Sequence, residues 1–165
     1  MTTLYIVRHA FAGHHGDPGY PGYPDDSQRP LTPKGIKQFS KLVKRLAGGG
    51  LAPQTVVTSP YVRCRQTAEL LCEGVDPSPE LVELEALEPG SELEALIDWS
   101  NRQDADSLAW VGHSPDVEHL AAALVSMRAG NISFSKGAVA AIRFDDEIAI
   151  GAGELRWFVS PKVLG

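Results

Sequence analysis

The sequence predicts an α/β protein, a three-layer α/β/α sandwich with a mainly parallel central sheet and antiparallel strands at its C-terminal end. Three observations predict it. Short apolar or β-branched runs, 4-LYIVR-8, 55-TVVT-58 and 108-LAWVG-112, each lead into a stretch with helical spacing. Strands that alternate with helices pair in parallel and are covered on both faces. Near the end the alternation stops: 138-AVAAIRF-144 and 154-ELRWFVS-160 read as two strands joined by a turn around Gly151 to Gly153.

The elements follow in order. The first strand, Leu4 to Arg8, is read as buried. Residues 12–30 are rich in Gly, Pro, Asp and Tyr and hold a tandem, 18-PGYPGYP-24, too long for an ordinary connection. Tyr20 and Tyr23 there read as a lid or, more plainly, as part of a proline-stiffened loop. A helix starts at Thr32 as cap with Pro33 at its first position. Ile36, Phe39, Val43 and Leu46 form its apolar stripe, and 48-GGG-50 stops it. After the second strand, Ser59-Pro60 reads as another cap and first position, with Cys64, Ala68, Leu71 and Cys72 facing inward. Residues 75–90 read as irregular, and a helix follows over 91–102. The third strand runs into His113-Ser114-Pro115 and a helix with Val117, Leu120, Ala121, Leu124 and Val125 on one face.

The bulk properties narrow the function. The 165 residues suit a single domain, 1–165, and 43% apolar content supports a packed core. No apolar run approaches the ~20 residues of a membrane span, and the N-terminus lacks a signal peptide's basic and apolar regions. The expectation is a cytoplasmic protein without membrane partners. Cys64 and Cys72 have no C-x-x-C spacing and read as reduced core thiols. The net charge of −6 argues against nucleic acid as a general partner.

Ligands of such sheets bind beyond the carboxyl ends of the strands. Arg8-His9, the Ser59-Pro60 turn with Arg63, and His113 all lie there. Arg63 falls in the first turn of its helix, where a cation is disfavoured unless an anion sits between it and the helix end. Arg8 adds a second planar fork suited to phosphate oxygens, and His113 a further donor. His9 turns an anion pocket into a reaction site. If a backbone carbonyl takes its Nδ1 proton, Nε2 is free to attack phosphorus.

Together, 7-VRHA-10, 58-TSPYVRCRQTAE-69 and 111-VGHSP-115 resemble the histidine phosphatase superfamily, also called phosphoglycerate mutase-like. The length and 28-QRPLTPKG-35 resemble most its SixA branch of phosphohistidine phosphatases. The resemblance implies the phosphoglycerate mutase-like fold, His9 as the phosphorylated nucleophile, and Arg8, Arg63 and His113 as the groups that hold the phosphoryl group. No dense Asp/His cluster suggests a metallophosphatase, so no metal and no cofactor are expected. Arg29, Ser59 and Ser114 are further candidates for phosphate or substrate binding. Arg29 reads equally as a partner of Asp25 or Asp26, and both serines read first as helix caps.

Many members carry an acid after the second motif. Here 83-ELEALEPGSE-92 offers Glu83, Glu85 and Glu88, with Glu88 the candidate acid, and none aligns securely. Imidazole leaves easily when its other nitrogen is protonated, whereas a sugar alkoxide needs a proton. The expected partner is therefore a phosphohistidine-bearing phosphotransfer or phosphorelay protein. The alternatives are small phosphate monoesters, or a non-catalytic module that binds phosphate ion or phosphoprotein. His14 and His15 are adjacent in a loop and read as solvated residues, and His119 as a helix-surface residue. Neither cysteine starts a C-x₅-R, and no Gly-rich nucleotide loop is present.

Overall fold

The computed structural model describes residues 1–17 and 20–164. Pro18 and Gly19 of the Pro-Gly-Tyr tandem therefore lie outside the described residues. Ten strands and helices follow one another among the described residues: β1 (Thr2–Arg8), α1 (Pro33–Gly48), β2 (Thr55–Thr58), α2 (Val62–Gly74), β3 (Glu80–Glu83), α3 (Leu93–Asn101), β4 (Ser107–Gly112), α4 (Asp116–Leu124), β5 (Val139–Phe144) and β6 (Glu154–Val159). Four short 3₁₀ turns lie between or after them, among them Asp26–Gln28 and Glu85–Leu87.

The strands form one six-stranded sheet in the order β3-β2-β4-β1-β5-β6. β3, β2, β4 and β1 are mutually parallel; β5 pairs antiparallel with β1, and β6 pairs antiparallel with β5. This is the predicted α/β architecture, with the C-terminal hairpin extending the sheet beyond β1.

Alternation along the strands divides the core into two layers. Tyr5, Val7, Val56, Ala109 and Val111 face α1 and α2, against Phe39, Leu42, Cys64 and Leu71. Leu4, Ile6, Val57, Leu108 and Trp110 face α3 and α4, against Leu96, Val117, Leu120 and Leu124. Central strands buried on both faces explain their continuous apolar runs.

α1 is seated by its first turn. Thr32 caps it, its Oγ1 accepting from Gly35 N at 3.0 Å while donating to the Phe11 carbonyl at 3.2 Å. A Cβ on Gly35 would lie 2.2 Å from that same carbonyl oxygen. Glycine thus lets the helix start rest directly on the segment leaving β1.

Several expectations are corrected. Residues 75–90 are not wholly irregular, because Glu80–Glu83 pairs in parallel with β2 as an edge strand. Its glutamates face solvent, which hid its strand character. α3 is shorter than 91–102. Ile36 is exposed, and Leu42 takes the buried place assigned to it on α1. Val125 is the C-cap of α4 rather than part of it. Ser59 is no helix cap, since α2 begins at Val62 with Tyr61 as N-cap. Nor does Ser114 cap α4, whose N-cap is Pro115.

Candidate active site

The register of the sheet brings distant residues together. Arg8 ends β1 opposite Gly112, the last residue of β4, so His9 and His113 emerge side by side. His9 N donates to the Gly112 carbonyl at 3.0 Å, and the two imidazole rings lie 5.6 Å apart. β2 ends beside β4 and delivers Ser59 to the same edge. The first turn of α2 adds Arg63. Thus Arg8, His9, Ser59, Arg63 and His113 meet at the carboxyl ends of three parallel strands.

His9 is buried, and its Nδ1 lies 2.7 Å from the Ala10 carbonyl. A carbonyl only accepts, so Nδ1 carries the proton and Nε2 the lone pair. The Ala10 amide in turn donates to Thr67 Oγ1 at 3.0 Å, and Thr67 Oγ1 donates to the Arg63 carbonyl at 2.7 Å. One threonine of α2 thereby ties the His9 segment to the helix that carries Arg63. Burial lowers the His9 pKa to about 3; the Ala10 hydrogen bond opposes this, and the charges of Arg63, His113 and Arg8 reinforce it. The imidazole is neutral at physiological pH.

His113 is also buried. Its Nδ1 lies 3.4 Å from Arg63 Nη2 and its Nε2 lies 2.9 Å from Ser59 Oγ. Guanidinium only donates, so Nδ1 accepts and Nε2 donates to Ser59. Ser59, read as a cap, instead orients this ring. Burial, aided by Arg63, lowers the His113 pKa to about 4, although Asp116 and Asp26 oppose the shift. Cys64 Sγ packs 3.5 Å from His113 Nε2, and burial raises its thiol pKa to about 12, leaving it un-ionised.

The arginines are held at their far ends. Arg8 Nη1 donates to the Phe134 carbonyl at 2.7 Å, and burial lowers the Arg8 pKa despite the nearby charge of Glu118. Arg63 donates from Nη1 to the Asp26 carbonyl at 2.8 Å and from Nη2 to Asp26 Oδ2 at 3.0 Å. The buried Nε atoms of both have no partner among the described residues.

Asp26 was foreseen only as a surface partner for Arg29. Its Oδ1 does accept from Arg29 Nε at 3.0 Å, but Oδ2 reaches Arg63. The carboxylate therefore bridges two arginines within the site. Burial disfavours its charge, but the Arg29 hydrogen bond and the charges of Arg63 and Arg29 prevail and hold its pKa below the usual value. Arg29 Nη1 also donates to the Gly13 carbonyl at 2.7 Å, fastening both ends of the 12–30 loop to one another. Asp25 instead accepts from Ser27 and caps the short 3₁₀ turn.

Ser114 Oγ donates to Glu118 Oε1 at 2.9 Å, and the Phe134 amide donates to the same oxygen at 3.0 Å. Sequence reasoning missed Glu118. The available signal was a glutamate three residues before Ala121, on the face of α4 that otherwise reads apolar. Thr67 and Gln66 were also missed, although both stand in the quoted R-x-x-Q-T-A segment. Gln66 Oε1 accepts from Leu31 N at 2.7 Å and holds the loop's far end.

The carboxylates after β3 stay apart from this cluster. Glu83 pairs with Arg65 at 3.7 Å. Among the described residues no hydrogen bond or ion pair joins Glu83, Glu85 or the half-buried Glu88 to His9, Arg8, Arg63 or His113. Glu88 follows Leu87, which packs beside Gly112, so it lies on the same rim. His14 donates its backbone N–H to Asp17 and its ring bonds Lys136. His119 is exposed. No group of three or more His, Cys, Asp or Glu among the described residues is placed to hold a metal ion, and no helix is long and apolar enough to cross a membrane.

Comparison with known proteins gives a consistent result. A model of the histidine phosphatase superfamily (branch 1) matches residues 4–128. An uncharacterized protein of Picosynechococcus sp. is 33% identical over 145 residues, covering 85% of this chain and 84% of that protein. The phosphohistidine phosphatase SixA of Escherichia coli is 27% identical over 154 residues, covering 92% of each. A structure of the protein histidine phosphatase SixA complexed with tungstate superposes with a TM-score of 0.84 at 24% identity, covering 99% of this chain and 100% of the other. The fold is phosphoglycerate mutase-like. By the extent of the family match and the 33% identity, the chain belongs to the histidine phosphatase superfamily, branch 1.

Proposed function

We propose that this chain is a phosphatase that works through a phosphohistidine on His9, and that its substrate is phosphohistidine on a phosphotransfer or phosphorelay protein. Membership of the family supports phosphatase activity. The observation that carries the mechanism is the His9 tautomer. With Nδ1–H held by the Ala10 carbonyl, the lone pair of Nε2 stands beside Arg63 and His113.

In the first step Nε2 forms a bond to phosphorus and the bond to the leaving nitrogen breaks. The leaving imidazole keeps the electron pair; its other nitrogen is already protonated, so it departs neutral. His9 then carries the phosphoryl group as a cationic ring. Water attacks phosphorus in the second step, the N–P bond returns its pair to Nε2, and the water's protons leave on the phosphate. Arg8 and Arg63 stabilise the charge on the equatorial oxygens in both steps, and His113 joins them when its Nε2–H turns from Ser59 to a phosphoryl oxygen. Arg29 contributes once Asp26 yields, while Ser59 and Ser114 act through His113 and Glu118.

This reading needs no carboxylic acid at the leaving group. The SixA relatives point the same way for the substrate class.

The test uses a phosphotransfer domain carrying ³²P on its histidine. Acid-labile label should appear on the enzyme and inorganic phosphate should be released. His9→Ala should abolish both while retaining the wild-type circular dichroism spectrum; turnover by that variant would overturn the mechanism. Faster turnover of glycerol or sugar phosphates than of the phosphodomain would overturn the substrate class.

A further inference from the structure

A second cavity adjoins the arginine pocket. Its volume is about 370 Å³, and its walls include Arg8, Phe11, Lys34, Ser135, Lys136 and Lys162. Four cations share this groove, and no carboxylate lines it among the described residues. The chain as a whole is acidic, with a net charge of −6, so this concentration runs against its composition. Like charges brought together repel, and they persist where an anion visits.

The lysines come from three separate segments. Lys34 lies in the first turn of α1, which contains no acidic residue. A cation there opposes the helix dipole and does not serve helix stability. Lys136 projects from the turn before β5; its Nζ stands 4.5 Å from the centre of the Phe11 ring and bonds His14 Nε2. Burial lowers its pKa, and Arg8, Arg29 and Lys162 lower it further, against Asp17. Lys162 sits in the 3₁₀ turn Pro161–Leu164 after β6. Lys34 and Lys162 are exposed.

Arg8 belongs to both the groove and the site. A group bound in the groove is therefore contiguous with a phosphoryl group at His9. The exposed lysines on its outer wall suit a broad surface better than an enclosed small molecule. A histidine that projects from a protein brings its neighbouring side chains to this rim.

We propose that the Lys34–Lys136–Lys162 groove docks acidic side chains that flank the phosphohistidine of the protein substrate. This rests on the phosphohistidine reading above. The groove then sets which phosphoproteins are served, while the histidines and arginines set the chemistry.

Three probes test it: a histidine-phosphorylated phosphotransfer domain with acidic flanks, the same domain with those carboxylates changed to amides, and phosphoramidate, which has the P–N bond without flanks. The double variant Lys34→Glu/Lys162→Glu should lose roughly tenfold or more in kcat/KM on the acidic domain, as expected for reversed steering charges. It should keep phosphoramidate turnover within about twofold, and should lose little on the amide domain. Raising the salt should shrink the wild-type advantage on the acidic domain. Equal rates of variant and wild type on the acidic domain would overturn the groove alone. An equal loss on phosphoramidate would also overturn it. Failure of the wild type on every P–N substrate, with turnover of phosphate monoesters, would instead overturn the substrate reading on which it rests.

Discussion

At the scale of single residues, the site depends on groups that hold other groups. Glu118 shows this most directly. One oxygen accepts from the Phe134 amide and the Ser114 hydroxyl, and the Phe134 carbonyl accepts from Arg8. Glu118→Ala leaves a buried N–H without an acceptor, a loss of about 1–3 kcal/mol. Glu118→Gln keeps an oxygen for that amide, removes the charge near Arg8 and places an NH2 at the buried Oε2 position. Urea unfolding should therefore separate the two variants, with alanine the less stable; equal stabilities would show that the hydrogen bond to Phe134 contributes nothing. Arg8, His9, Arg63 and His113 were legible because each stands next to a strand end or helix start that leaves a pattern in the sequence. Asp26, Thr67 and Glu118 were not. Besides near neighbours, each has a partner on another segment, 37 residues away for the Asp26–Arg63 pair, 57 for Thr67 and the Ala10 amide and 16 for Glu118 and the Phe134 amide, and the local sequence does not name that partner.

At the scale of elements, periodicity served wherever an element buries a face. α1, α2 and α4 were read from their apolar stripes, while the three central strands, buried on both faces, were read from unbroken apolar runs. β3 escaped because it is an exposed edge strand, formed only through its pairing with β2. The ends of α2 and α4 were misread for a different reason. Serine before proline has the form of a cap, yet Ser59 Oγ and Ser114 Oγ are engaged with His113 and Glu118. The contact between α1 and the segment after β1 gives a prediction. The Cβ of Gly35→Ala would meet backbone, the Phe11 carbonyl, at 2.2 Å, so the helix start must shift. A loss of about 1–3 kcal/mol is expected from such overpacking. Since Phe11 lies two residues beyond His9, kcat should fall as well. A variant with unchanged Tm would show that α1 is free to move.

At the scale of the whole molecule, two buried neutral imidazoles tie folding to pH. Unfolded histidine has a pKa of about 6.5, while burial first, and then neighbouring positive charge, lowers His9 to about 3 and His113 to about 4. Between these limits the unfolded chain binds protons that the folded chain excludes. Their contribution is fully present above about pH 6.5 and diminishes as the pH falls toward the folded values. Each histidine removes about 1.4 kcal/mol per pH unit within that window. Urea midpoints should fall from pH 7.5 to pH 5, and fall less steeply in His9→Gln/His113→Asn; identical slopes would show that neither ring resists protonation. The Asp26 bridge reaches further than the resting geometry. Its side chain is 61% exposed while Arg63 is 6% exposed, so the carboxylate can swing away from cations that cannot follow. On the proposed function, phosphate then enters by ion exchange, a tethered anion giving way to a free one. The trade also runs in reverse. Product phosphate faces a rival that never diffuses away, and a site built around such a rival favours prompt release over tight retention.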